Sequence, residues 1–152
     1  MVRAILEGRK TQTRRPIAIS KNKEWDFKET LGTLEGIFHA CFKHKKTRQL
    51  KTVKFPFGKV GDRHSIKAGE IEITNICVER LQNISEEDAI AEGFNYGCDS
   101  VQWFRDLWDS YAKKGYGWDK NPWVWVIEFK LVGKAVSVDQ YSTVPQEKRQ
   151  LS

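Results

Sequence analysis

Long apolar runs are missing from this chain, and their absence narrows what it can be. No stretch of about 18 apolar residues occurs, so no membrane-spanning helix is expected. The apolar residues of the opening segment are few and are interrupted by Arg3 and Glu7, which does not fit a secretory leader; the expected location is the cytoplasm. Cysteine is scarce as well. Cys41, Cys77 and Cys98 are odd in number and irregular in spacing, which argues against a disulfide framework or a zinc knuckle. The grouping His39-x-Cys41-x-x-His44 lacks a further ligand and puts His39 and Cys41 in one phase of a strand, so no metal is expected.

Acidic residues are the third shortage, and a local one. Residues 1–60 hold 15 Lys+Arg against 5 Asp+Glu, whereas residues 61–152 hold 11 against 15, so the net charge of +6 hides a basic half of +10 and an acidic half of −4. A basic half on one domain is an electrostatic footprint for polyanions, although ordinary solubility charge produces the same imbalance. What the chain has in quantity is core material. Hydrophobic content of 39%, with six Trp and eight Phe in 152 residues, fits one globular domain, expected as a monomer.

The stretch Gly8-Arg9-Lys10-Thr11-Gln12-Thr13-Arg14-Arg15-Pro16 concentrates four cations and two hydroxyls. Before it, Val2, Ile5 and Leu6 fall on one face of a short helix whose C′ position suits Gly8, and Pro16 pushes Arg15 into an extended conformation. Residues 9–15 are therefore expected as a tight, partly extended loop. In such a loop Lys10 and Thr13 converge on one pocket, while Arg9, Arg14 and Arg15 reach outward for phosphates. The plain alternative is that cations after a helix C-terminus answer its dipole and solvate the surface.

Further along, Ile17-Ala18-Ile19 and Thr52–Phe57 read as strands, and Ile37–Phe42 as one arm of an antiparallel hairpin followed by a basic, solvated turn at residues 43–48. Residues 70–80 read as one strand in which the apolar phase slips between Ile73 and Ile76, which a bulge near Thr74-Asn75 repairs. Ser85 is the expected N-cap of a helix with acids in its first turn and Gly93 as its stop; helix stability does not ask for the carboxylate of Glu92 in the last turn. Asp99 or Ser100 caps a second helix to about Lys113, with Val101, Phe104, Trp108 and Tyr111 on its core face. Tyr116 and Trp118, on a glycine-rich loop, are the stacking candidates. Trp123–Phe129 is apolar on both faces and reads as an interior strand. Val136 and Val138 add an edge strand, and residues 142–152 form a mobile tail. The order of β-prone runs around two capped helices gives a single α+β domain.

Four segments in order, Gly8–Arg15, Phe57–Arg63, Ile84–Phe94 and Trp123–Phe129, resemble the ASCH (activating signal cointegrator homology) superfamily, in its phage and prophage type. The resemblance spans residues 1–132 and leaves 133–152 as a C-terminal extension. It implies a PUA-like mixed β-barrel with flanking helices and RNA or a modified nucleoside as partner. For one bacterial branch it implies an amidohydrolase acting on N4-acetylcytidine without a cofactor. Carried over onto the Gly-x-Lys-x-x-Thr-x-Arg arrangement, the branch's functional residues fall on Lys10, Thr13 and Glu92, with Arg15 at the motif's arginine. This chain departs from the family where Arg63-His64-Ser65-Ile66 passes almost directly to Gly69-Glu70-Ile71, so a pocket wall is shortened.

Hydrolysis of an N-acyl cytosine needs a nucleophile at the acyl carbonyl, a base for its proton and an acid for the exocyclic nitrogen. Thr13 serves as nucleophile or as positioner of a water, Lys10 as base and Glu92 as proton carrier, and the sequence leaves both routes open. The competing expectations are a non-catalytic RNA- or nucleotide-binding module and a ribonuclease using the same pocket.

Overall fold

Periodicity and capping organise the chain into three helices and seven strands, which in the computed structural model cover the described residues 2–20 and 22–134. In order they are α1 (Val2–Leu6), β1 (Gln12–Pro16), β2 (Trp25–Gly32), β3 (Phe38–His44), β4 (Leu50–Lys54), β5 (Arg63–Ile66), β6 (Gly69–Arg80), α2 (Glu86–Ala91), α3 (Ser100–Tyr111) and β7 (Trp123–Lys134). The class is α+β and dominated by strands. The strand expected at Val136 and Val138 and the tail expected at 142–152 lie outside the described residues.

β7 is the interior strand that its two apolar faces foretold, and it separates two cores. Trp125 and Ile127 point to one side, where Ile17, Ile19, Phe42, Phe55 and Ile73 close over them. Val124 and Val126 point to the other, against Leu81, Ala89, Phe104 and Trp108 of the helical layer. The strands pair in two ladders, β1-β7-β6-β5 and β2-β3-β4, and every pairing is antiparallel. The first sheet is sandwiched between the helices and the second sheet, so the described strands do not form one closed hydrogen-bonded cylinder.

β6 contains the bulge that its phase slip required: its register against β7 shifts between Ile73 and Asn75, leaving Thr74 unpaired and returning Ile76 to the core. A second shift lies between Glu70 and Ile71. The turn entering β5 needs glycine at Gly58, where φ is +99° and a Cβ would collide with the Asp62 carboxylate.

Three local expectations are corrected. Residues 12–16 form a strand, because Gln12 to Pro16 ladder onto Glu128 to Val124 of β7. Ile17 and Ile19, expected as a strand, are fully buried just beyond it without a ladder; Ile19 N–H turns back to the Ile17 carbonyl at 2.8 Å. On α1 the buried residue is Ala4, while Val2 and Leu6 are exposed. Five residues are too short to bury a full stripe.

Both long-range helices begin as read. Ser85 accepts from the Asp88 N–H at 3.0 Å while the Asp88 carboxylate accepts from the Ser85 N–H at 3.2 Å, a complete capping box; Asp99 accepts from the Gln102 N–H at 2.9 Å. Ser85→Ala removes the first of these caps and is expected to lower stability by about 1 kcal/mol in urea unfolding, with the slope against urea unchanged.

Candidate active site

Strand geometry sorts the opening cations before any chemistry does. Successive side chains on β1 point to opposite faces, so Gln12 and Arg14 are buried while Thr13 and Arg15 are more exposed. Arg14 is 1% exposed, so it does not reach outward for phosphates as expected. Its Nη1 donates to Glu92 Oε1 at 3.1 Å and to the Gln12 side-chain oxygen. Its Nη2 donates to Glu79 Oε1 at 2.7 Å and lies 3.2 Å from Asp88 Oδ2, and its Nε has no protein partner.

Lys10 approaches the same glutamate from the other side. Its Nζ donates to Glu92 Oε2 at 3.1 Å, to the Glu92 carbonyl at 3.0 Å and to the Gln12 carbonyl at 2.9 Å. Glu92 is the C-cap of α2, so Lys10 also satisfies an orphan carbonyl at the negative end of that helix. Of the five buried polar residues among those described, four are Lys10, Gln12, Arg14 and Glu92, which form one cluster inside the fold and are not ordinary surface charge. Glu92, 3% exposed and doubly ion-paired, is not a glutamate tolerated at a helix end.

Burial pushes the Lys10 ammonium below its ordinary value; Glu92 opposes that shift, and Arg15 and Arg14 add to it. Burial alone would raise Asp88, but the Ser85 backbone N–H, the Gln12 amide and Arg14 together hold its carboxyl below the usual range. Tyr111 is raised, first by burial and then by the Glu92 carboxylate.

A cleft of about 640 Å³ opens over this floor. Lys10, Thr13, Arg15 and Glu92 supply its polar wall, and Trp108, Tyr111 and Tyr116 its aromatic one. The Trp108 Nε1 donates to the Tyr116 carbonyl at 2.7 Å, which ties the loop after α3 to the helix. Thr13 Oγ1 accepts from Arg15 Nη1 at 3.0 Å and so leaves its own proton free to be given away. Lys10, Thr13 and Glu92, three residues singled out in the sequence, therefore meet in one cleft, with Arg15 and Tyr116 at its side.

The remaining expectations fall elsewhere. Arg9 is occupied by Glu7 at 2.8 Å and by the Gly93 carbonyl at 3.0 Å, which makes it a clamp between α1 and the end of α2. Trp118 does not line the cleft; it packs against the helical core, and its backbone N–H donates to Asp109 Oδ1 at 2.8 Å. Sequence reasoning missed Gln12, Glu79, Asp88 and Tyr111. The i, i+4 spacing of Asp88 and Glu92, opposite two polar residues in strand phase, was the available signal. Among the described residues no helix is long and apolar enough to cross a membrane. No family model, curated protein or solved structure matches this chain.

Removing Arg14 strands the carboxylates gathered around it. Arg14→Met is expected to destabilise the fold by about 3–5 kcal/mol in chemical denaturation, with most of the loss from Glu92. The charge on Lys10 has its own signature. A depressed folded value means that, between it and the unfolded value of about 10.4, the unfolded chain binds the extra proton, so stability rises with pH there. Across that alkaline window the wild type should gain stability relative to Lys10→Met, and thermal melts at stepped pH would record a flat difference if Lys10 titrated ordinarily.

Proposed function

We propose that the cleft is the active site of an amidohydrolase that removes the acyl group from N4-acylated cytidine, with N4-acetylcytidine as the representative substrate, in a PUA-like relative of the ASCH superfamily. The observation that carries this reading is the buried Lys10–Glu92 pair at the floor of a cleft shared with Thr13. A volume near 640 Å³ with aromatic and apolar walls suits one nucleoside. The two antiparallel sheets around an aromatic core, with helices outside, are compatible with a PUA-like arrangement.

The proton inventory of such a reaction balances with these side chains. A proton passes along the existing 3.1 Å hydrogen bond from Lys10 Nζ to Glu92 Oε2, leaving a neutral amine and a carboxylic acid. The lowered proton affinity of Lys10 favours that transfer. The amine then takes the proton of the nucleophile as its oxygen adds to the acyl carbonyl carbon. Glu92 gives its proton to N4 as the C–N4 bond breaks, and the starting charges return. With Thr13 as nucleophile the acyl group rests on Oγ1 until water removes it; with water as nucleophile Thr13 aligns it. Arg15, already donating to Oγ1, stabilises negative charge on that oxygen in the first route and fixes its orientation in the second.

A second reading has its own observation. All three ammonium hydrogens of Lys10 are taken by protein acceptors, as in a lysine that only buttresses a helix end. A binding module with no chemistry follows from that.

Incubation with N4-acetylcytidine separates the two. The amidohydrolase reading expects cytidine and acetate, a rate that falls on the alkaline side as the Lys10–Glu92 pair loses its shared proton, and losses of about 10²–10⁴-fold in Lys10→Ala and Glu92→Gln. Thr13→Ser should keep part of the rate and Thr13→Ala almost none if an acyl-enzyme forms, which intact mass would detect. Binding of cytidine without turnover in the wild type would leave only the module.

A further inference from the structure

We infer that the β3–β4 hairpin holds the phosphodiester backbone of a single-stranded polynucleotide and that the cleft receives its base from such a strand; the second clause rests on the reading of the cleft given above. The sequence supplies the charge: residues 36–61 contain seven Lys+Arg and no Asp or Glu. Six of those cations fall between Lys43 and Lys54, within a single hairpin. Among the described residues only Lys45 has a carboxylate in reach, Asp26 at 3.6 Å.

Lysines on an exposed edge strand are the usual defence against sheet-to-sheet pairing, and Lys51 and Lys54 on β4 are accounted for that way. The tip is not. Lys45, Lys46 and Arg48 lie in the turn, beyond the edge, and the turn is built to hold them. His44 Nδ1 accepts the N–H groups of Lys46 and Thr47 at 3.3 and 3.1 Å, its backbone N–H donates to the Gln49 carbonyl at 2.8 Å, and the Arg48 N–H returns to the His44 carbonyl at 3.0 Å. Arg48 has φ +64°, a left-handed conformation that suits glycine or asparagine, yet a long cation stands there. A rigid tip presenting cations at a strained position fits a polyanion better than it fits solubility.

The hairpin and the cleft share one end of the fold. Pro16 and Ala18 line the cleft, and between them Ile17 N–H donates to the Trp123 carbonyl at 3.0 Å. The Trp123 Nε1 donates to the Trp25 carbonyl at 3.0 Å, and Trp25 pairs with His44, their rings 5.0 Å apart. Arg80 stacks on Trp123 at 4.1 Å, a further cation at the same end. A free nucleoside would use none of these groups, whereas a strand leaving the cleft past Pro16 would meet them in turn. Single strands are favoured because a base inside a duplex cannot enter a cleft without being flipped out.

The test uses fluorescent single-stranded RNA and DNA oligonucleotides of one sequence, read by anisotropy across a salt series, with the triple variant Lys45→Gln, Lys46→Gln, Arg48→Gln and circular dichroism to verify its fold. Binding should weaken steeply with salt in the wild type, and the variant's slope should fall by about 2, for three lost contacts at about 0.7 each. The RNA and DNA arms show whether a 2′-hydroxyl is read as well. Turnover of free N4-acetylcytidine should be unchanged in the variant, while turnover of the same base within an oligonucleotide should drop at least tenfold. Equal oligonucleotide binding by variant and wild type overturns the inference, as does binding to anionic lipid vesicles with none to either oligonucleotide. Nucleoside hydrolysis without oligonucleotide binding leaves the cleft chemistry standing and removes the hairpin's role. Hairpin-dependent binding with no hydrolysis does the reverse.

Discussion

Glu92 holds two cations at once, Arg14 on one carboxylate oxygen and Lys10 on the other, and the architecture around the cleft depends on that bridge. Each partner comes from a different part of the chain: β1 brings Arg14, the turn before it brings Lys10, and the end of α2 brings Glu92. Charges so deeply buried are costly to desolvate, and they are tolerated only because nearly every hydrogen-bonding position is occupied. Arg14 alone draws in Glu79 at the end of β6 and Asp88 from the first turn of α2. The cluster thus ties the edge strand, the bulged strand and the helix into one rigid floor. Packing of Val124 and Val126 against Phe104 and Trp108 supplies the apolar half of the same junction.

A floor of this kind also determines what the cleft can do. With Lys10 on one carboxylate oxygen and Arg14 on the other, Glu92 is held in place before any ligand arrives, so a ligand that exchanges a proton with it has to come to the carboxylate. Thr13 sits on the opposite phase of β1 from Arg14, so one short strand supplies a buried, ion-paired guanidinium and a hydroxyl that lines the cleft. The bulge at Thr74 matters for a similar reason. It restores the core phase of β6 so that Ile76 packs inward while Glu79 reaches Arg14.

Features set by neighbouring residues were legible in the sequence. The caps at Ser85 and Asp99, the slip at Thr74 and the two-faced interior of Trp123–Phe129 all rest on spacing within about ten residues, and all appear where the spacing put them. The pocket residues Lys10, Thr13 and Glu92 came from a motif, and the cleft brings them together. What the sequence hid was the fate of cations. Arg9, Arg14 and Arg15 look alike in a run of positive charge, and only the pairing of β1 with β7 decides that Arg14 is buried while Arg15 is not. Ile17 and Ile19 misled in the opposite way: two in-phase isoleucines read as a strand, but apart from one bond from the Ile17 N–H to the Trp123 carbonyl they are held by core burial, outside any ladder. The turn at residues 43–48 was legible, but the ring that closes it was not, because an imidazole that accepts two backbone N–H groups has no sequence signature.

The basic half of the chain looks different once its charges are sorted by depth. Lys10 and Arg14 are inside, balanced by carboxylates from the acidic half, so part of the +10 and −4 asymmetry is an internal exchange between distant segments and exerts little field on solvent. Arg3 and Arg9 are paired to Glu7 within α1 and its exit turn. The cations left facing water are concentrated in β3, β4 and the turn between them, a region with no acidic residue of its own. The positive field of the basic half is therefore centred on that hairpin more than on the opening motif. The cleft's own excess, Lys10, Arg15 and Lys113 against Glu92, is smaller. With the exposed cations gathered at the hairpin and not beside Lys10, burial remains the largest influence on the Lys10 ammonium, and an anion placed next to it would raise the value that burial lowers.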